Sequence, residues 1–140
     1  AGYLNKPLRA QAASLGLGDV VRFAGYRDDL DDFIGCFDLF VHPASAEGLG
    51  VAVMKAAAAG VAVVACDAGG VREVVADGET GILVPIGDAG ALRNGIAALL
   101  EDDAPRRAVG SAGRERLHND FGTVTIADRH LALYQSLRAN

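Results

Sequence analysis

The sequence predicts an α/β fold, a Rossmann-like parallel sheet of about four strands flanked by helices, in one domain spanning residues 1–140. Three observations predict it. Short apolar runs without period-two alternation recur, each bounded by Gly, Asp or Pro, as in strands buried on both faces. Segments of helical period separate these runs, as in βαβ units. Glycine-bearing turns directly follow two of the runs, where doubly wound sheets carry their ligand crevices. A chain of this length supports one hydrophobic core rather than two.

Val20–Ala24 (VVRFA) reads as the first strand. Asp28 or Asp29 can then cap a helix whose Leu30, Phe33, Ile34 and Phe37 share one face. Leu39–His42 (LFVH) is the second strand. Leu49 to Ala59 reads as a helix of small residues, ended by Gly60 at a left-handed C′ position. Val61–Ala65 (VAVVA) follows as the third strand. Val71 to Ala76 is a short helix stopped by the Asp77-Gly78 turn, and Gly81–Val84 (GILV) is the fourth strand. Asp88 then caps a helix carrying Leu92, Ile96, Leu99 and Leu100, in which Gly95 costs about 1 kcal/mol relative to Ala. A polar helix from Pro105 to His118 precedes a last one from Thr123 to Arg138, with Ile126, His130, Leu133 and Leu137 on one stripe. Three consecutive helices after the last strand are expected to wrap back over the sheet.

Composition removes several function classes. With 51% hydrophobic and 22% charged residues the chain is globular rather than disordered. Its 13 Lys+Arg are scattered against 18 Asp+Glu, for a net charge of -5, which argues against a nucleic-acid partner. No apolar run approaches the roughly 20 residues that span a bilayer, and no signal peptide is legible at the start, so a cytoplasmic location is expected. Cys36 and Cys66 lack CxxC or zinc spacing and are expected to be reduced, buried thiols. Asp28, Asp29, Asp31 and Asp32 lack EF-hand spacing and read as helix-capping, solvated residues. Ser45 has no histidine or acid at nucleophile spacing, and Gly48-Leu49-Gly50 continues to Val53 rather than to a third glycine of a dinucleotide fingerprint.

The segment with chemical content is His42-Pro43-Ala44-Ser45-Ala46-Glu47-Gly48-Leu49-Gly50, after a strand and opening a helix. Such a junction aims free backbone N–H groups and the positive end of the helix dipole at one crevice. Gly48 and Gly50 let a ligand approach the main chain without Cβ interference. Asp67-Ala68-Gly69-Gly70 repeats the arrangement after the next strand, and two such turns side by side suit a diphosphate or sugar phosphate. The same glycines also serve tight strand-to-helix turns with no ligand at all, and geometry alone leaves both readings open. His42 reads as a hydrogen-bonded structural histidine, and His118 and His130 as helix-surface residues.

From Leu17 to Tyr134 the sequence resembles the C-terminal, donor-binding domain of GT-B glycosyltransferases of the retaining group 1 (family 4) class. The pieces that carry the resemblance are VRFAGYRDDL, FDLFVHPASAEGLGVAVMKAAAAGVAVVACDAGGVREVVADGETGILV and AGRERLHNDF, in that order. The family pattern is a Glu, a Gly-aromatic/aliphatic-Gly loop and a second Glu eight positions after the first. Glu47, Gly48, Leu49 and Gly50 match its first part. The resemblance implies that Glu47 is the catalytic residue beside the donor sugar and that the loop amides hold sugar hydroxyls and diphosphate oxygens. Position 55, where the second Glu would accept both ribose hydroxyls, is Lys55. An ammonium offers three donors and accepts nothing, so charge-assisted bonds of roughly 1.5–3 kcal/mol are lost there. Lys55 either reaches a phosphate instead or lies along the helix surface. Gly25-Tyr26-Arg27 matches the segment whose backbone faces the base, with Tyr26 equally readable as a half-exposed loop aromatic. Gly69, Gly70 and Glu73 match the turn that forms a second wall of the sugar site, although Glu73 serves equally well as a helix-capping carboxylate.

The resemblance implies retaining transfer of a sugar from a nucleotide-diphosphate donor to a hydroxyl acceptor, with no cofactor and no metal. It also implies a partial domain. The family places an acceptor domain and two strand–helix units before the matched region, and the first of those units carries the Arg and Lys that neutralise the diphosphate. The chain is therefore expected to be inactive alone and to depend on a missing N-terminal acceptor domain or a second chain. At Leu39–His42 either Val20–Ala24 closes directly against the unpaired edge or another chain fills the gap, and self-association through that edge is the expectation. Lys55 supports an alternative, a non-catalytic remnant or regulatory module that kept the fold and lost the ribose clamp.

Overall fold

Strand pairing is confined to three of the four runs that the sequence offers. In the structure, a computed structural model that describes residues 4–138, β1 (Phe40–His42), β2 (Val63–Cys66) and β3 (Ile82–Val84) form a parallel sheet in that spatial order. The register pairs Val41 with Val64, and Ala65 with Leu83. β1 pairs with β2 alone among the described strands, so its other flank is the edge on which self-association was the sequence expectation. Helices α3 (Val51–Ala58), α4 (Val71–Val74) and α5 (Ala89–Glu101) connect or follow the strands. This is the Rossmann-like α/β arrangement expected, with one strand fewer.

The chain divides after Asp31 into two compact units. The first holds α1 (Asn5–Ser14), a helix that the sequence reading passed over, and the irregular run that includes Val20–Ala24. This run is not a strand. A strand needs a ladder partner for its N–H and C=O groups, and among the described residues of the first unit no extended segment supplies one. The Phe23 carbonyl instead accepts a 3.4 Å bond from the Arg9 guanidinium, which lies 4.5 Å from the Phe23 ring centre. Gly25 has φ 76° with open space around it, and Tyr26 is 92% exposed.

In the second unit the short helix α2 (Leu30–Phe33), which begins just before the division, runs into a 3-10 turn at Ile34–Cys36. Cys36 is exposed, which corrects the expectation of two buried thiols; Cys66, inside β2, is buried. Every residue of β2 is buried. Side chains alternate across a strand, so Val64 and Cys66 join Val84 and Leu99 on the α5 side, while Val63 and Ala65 turn to the face toward α3. Gly95 of α5 owes its place to close packing: a Cβ there would lie 3.1 Å from Val64 and 3.2 Å from Ile82. The Asp88 carboxylate caps α5 by accepting from the Ala91 N–H at 2.8 Å.

Helices α6 (Asp103–Phe121) and α7 (Thr123–Arg138) complete the unit. Asp102 caps α6 through the Ala104 N–H. α6 packs on α3 and α5. α7 packs on α6 and buries none of its residues, so it does not return over the sheet as the sequence reading had it. α5, brought close to Val64 and Ile82 at Gly95, already covers that face of the sheet, and α6 lies between α7 and α5 in the packing order.

Candidate functional site

Two glycine turns meet at the C-terminal ends of β1 and β2. The first, residues 43–50, joins β1 to α3, and Gly50 takes φ 82° at the helix N-cap. The second, residues 67–70, joins β2 to α4. Their approach is closer than any side chain permits. A Cβ on Gly69, which has φ 54°, would lie 1.8 Å from the Glu47 carbonyl oxygen, and one on Gly70 would lie 2.6 Å from that of Gly48. The Gly70 N–H donates to the Gly48 carbonyl at 2.7 Å. Convergence of the two turns was legible in the sequence. The structure adds that Gly69 and Gly70 are required by loop-to-loop packing and that the Gly70 amide is committed to protein.

Glu47 sits in this junction with both carboxylate oxygens engaged. Oε1 accepts from the Gly48 N–H at 2.9 Å, and Oε2 lies 2.9 Å from His42 Nε2. A carboxylate only accepts, so His42 must carry a proton on Nε2. His42 is held in turn by stacking on Phe40, with ring centres 6.3 Å apart. The Gly48 N–H, followed by the His42 hydrogen bond, holds the Glu47 carboxyl below the usual glutamate range. His42 is thus the structural histidine that the sequence suggested, but its partner is the candidate catalytic acid. No spacing rule exposes a loop contact between residues five positions apart.

Asp67 and Arg72 are a second pair that the sequence reading missed. They form a two-pronged ion pair, Nε to Oδ1 at 2.9 Å and the terminal nitrogen to Oδ2 at 2.5 Å, which straps the Gly69-Gly70 turn onto α4. Glu73 lies in the first turn of α4 beside Gly70, an N-cap that no side chain bonds. Its carbonyl accepts from Arg116 of α6 at 3.0 Å. Lys55 is exposed on α3, where it lines a groove together with Arg114 and Leu117 of α6. Gly25 and Tyr26 belong to the other unit. Among the described residues no group of three or more His, Cys, Asp or Glu could hold a metal ion, and no helix is long and apolar enough to cross a membrane.

A parallel sheet flanked by helices, with a Glu-Gly-Leu-Gly turn between its first strand and the next helix, is an arrangement of the GT-B glycosyltransferase fold. The chain belongs to the family described as glycosyl transferases group 1, whose pattern matches residues 1–116. It is 35% identical over 129 residues to the lipopolysaccharide core biosynthesis glycosyltransferase LpsE of Rhizobium meliloti, covering 92% of this chain and 38% of LpsE. Among solved structures, sucrose-phosphate synthase from Thermosynechococcus elongatus superimposes with a TM-score of 0.86 at 35% identity, over 99% of this chain and 35% of that one. HepE of Anabaena, solved in complex with UDP, gives 0.86 at 31% identity over 94% and 36%; it has also been solved with UDP-glucose. The chain therefore spans little more than a third of the length of these relatives.

Proposed function

We propose that this chain is the donor-binding part of a glycosyltransferase that takes a nucleotide-diphosphate sugar and transfers the sugar, with retention, to a hydroxyl acceptor. The observation that carries the reading is the Glu47 carboxylate, fixed by His42 and Gly48 where two strand-end turns interlock, in a chain whose relative HepE was solved with UDP and with UDP-glucose. Glu47 orients the donor sugar. The amides of Gly48, Leu49 and Gly50 face the sugar and its phosphates, with the Gly48 N–H exchanging Glu47 for ligand oxygen on binding. The Gly69-Gly70 turn backs that loop. A leaving diphosphate develops charge that must be neutralised; the chain spans 38% of LpsE, and we place that neutralisation and the acceptor site outside it. Alone, it binds donor and turns nothing over.

A second reading, a non-catalytic module that kept the fold, is favoured by one observation: the Gly48 and Gly70 amides are already bonded within the protein, and position 55 is Lys, not a carboxylate. Calorimetric titration with UDP, GDP and ADP separates the two. In the donor reading Lys55→Glu supplies an acceptor for the ribose hydroxyls and tightens one nucleotide about tenfold, or ~1.4 kcal/mol. Negligible heats for both proteins would favour the non-catalytic module.

A further inference from the structure

The glycine junction is tied to α6, a helix that contributes no residue to it. The tie runs through α4, which has only four residues, Val71–Val74, too few for a helix to hold by itself. No side chain bonds its N-cap, Gly70, and its C-cap, Val75, already turns extended at ψ 120°. The position of α4 therefore depends on what grips it from outside. On one side the Asp67–Arg72 pair does so. On the other, the Arg116 guanidinium, 43 residues further along the chain, donates to the Glu73 carbonyl at 3.0 Å. An arginine placed there satisfies an acceptor that the end of a helix leaves orphaned.

From Glu73 the contacts run on to the candidate acid through successive backbone groups. The Glu73 N–H donates to the Gly70 carbonyl at 3.0 Å, the Gly70 N–H to the Gly48 carbonyl at 2.7 Å, and the Gly48 N–H to Glu47 Oε1 at 2.9 Å. Packing leaves this line no slack. A Cβ on Gly70 would lie 3.1 Å from the Leu49 Cα, and one on Gly50 would lie 3.3 Å from the Val71 side chain of α4. A displacement of α4 is therefore passed to the 47–50 turn rather than absorbed. Arg116 makes its contact at a cost. Its Nε–H is buried with no hydrogen-bond partner among the described residues, and the Asp120 carboxylate lies 4.0 Å from Nη1. A buried, unpaired N–H is unfavourable, so a side chain serving packing alone would be apolar here.

We propose that Arg116 is a positioning residue for Glu47, acting from α6 through α4 and the interlocked turns; the role of Glu47 rests on the donor reading, whereas the coupling is read on the protein alone. The same helix supplies a control. Arg106 also donates to a backbone carbonyl, that of Leu99 at 3.3 Å, but Leu99 belongs to α5 and leads away from the junction. Arg116→Met keeps an unbranched side chain and loses every donor. It is expected to speed hydrogen exchange of the Gly70 amide about tenfold relative to the Phe40 amide, which bonds the Ala62 carbonyl at the other end of β1. Because the Gly48 N–H is the first support of the Glu47 carboxylate, the Glu47 midpoint in carboxyl-resolved NMR titration is expected to rise with it. Arg116→Lys retains a donor and is expected to restore most of both. Arg106→Met is expected to lose stability to urea while leaving the exchange ratio and the Glu47 midpoint unchanged. If Arg116→Met does not fold, Arg116→Gln, whose side chain stops short of the Glu73 carbonyl, decides by the same two readouts. Equal acceleration at both amides, an unmoved Glu47 midpoint, no rescue by lysine, or the same effect from Arg106→Met overturns the proposal. A missing heat of UDP binding, by contrast, tells against the donor reading and leaves the coupling of Arg116 to Glu47 standing.

Discussion

Two β-branched runs of nearly the same character meet opposite fates in this molecule. Val63–Cys66 is the centre of the sheet, with Val63, Val64 and Ala65 wholly buried, whereas Val20 is 72% exposed in an irregular segment. Intrinsic preference does not separate them, because both are rich in residues that favour strands. What separates them is company. β2 has β1 on one side and β3 on the other, α3 and α5 on its faces, and at its end a turn that no residue but glycine could make. Among the described residues of its own unit, the one helix beside the other run is α1, tied through Arg9 and Phe23. A strand is a property of its neighbours as much as of its sequence.

The sharpest way to probe that difference is to load a methyl group onto each region's left-handed glycine. Gly69→Ala places a Cβ 1.8 Å from the Glu47 carbonyl at φ 54°, so the two turns must part. Urea unfolding is expected to show a loss of about 3–5 kcal/mol, together with the collapse of the Glu47 environment. Gly25→Ala meets open space at φ 76° and is expected to cost only the left-handed strain of about 1–2 kcal/mol. If the two losses were equal, the interlocked turns would not be what stabilises the sheet ends.

Side-chain truncation makes the same contrast at smaller scale. Val64→Ala removes two methyl groups from a fully buried site between α5 and the sheet and is expected to cost about 2 kcal/mol. Val20→Ala is expected to stay within about 0.5 kcal/mol. A large effect at Val20 would show that this run packs against something that its exposure conceals.

These contrasts also mark what was legible in the sequence. Leu39–His42, Val61–Ala65 and Gly81–Val84 could be read because each sits between a glycine or aspartate turn and a helix of clear period, so local and global signals agree. Val20–Ala24 carried the local signal alone. The glycine turns were readable as turns, and their convergence followed from parallel topology. Their interpenetration was not, because whether a glycine frees space for a ligand or for another loop depends on a segment some twenty residues away. The same holds for His42 and for Asp67–Arg72, whose partners are set by loop geometry rather than by period. Lys55 was visible as a departure from the family pattern, but the groove it lines with α6 depends on where α6 crosses.

The smallest effect concerns the Glu47 carboxylate, and it tests whether the site depends on β1 as well as on the turns. Its carboxyl is held below the usual glutamate range by the Gly48 N–H first and by His42 second. A group depressed in the folded state contributes stability that is present above its unfolded value and lost as pH falls through the folded one. His42→Ala removes the second support and leaves the first. Carboxyl-resolved NMR titration is then expected to show the Glu47 midpoint rising, while remaining below that of an unbonded glutamate, and acid unfolding beginning at a higher pH. His42→Gln, whose side-chain amide can donate from nearly the same point, is expected to restore most of the depression. An unchanged midpoint in His42→Ala would mean that the turn's own amide holds Glu47 unaided and that β1 contributes only the position of the loop, not the state of its acid.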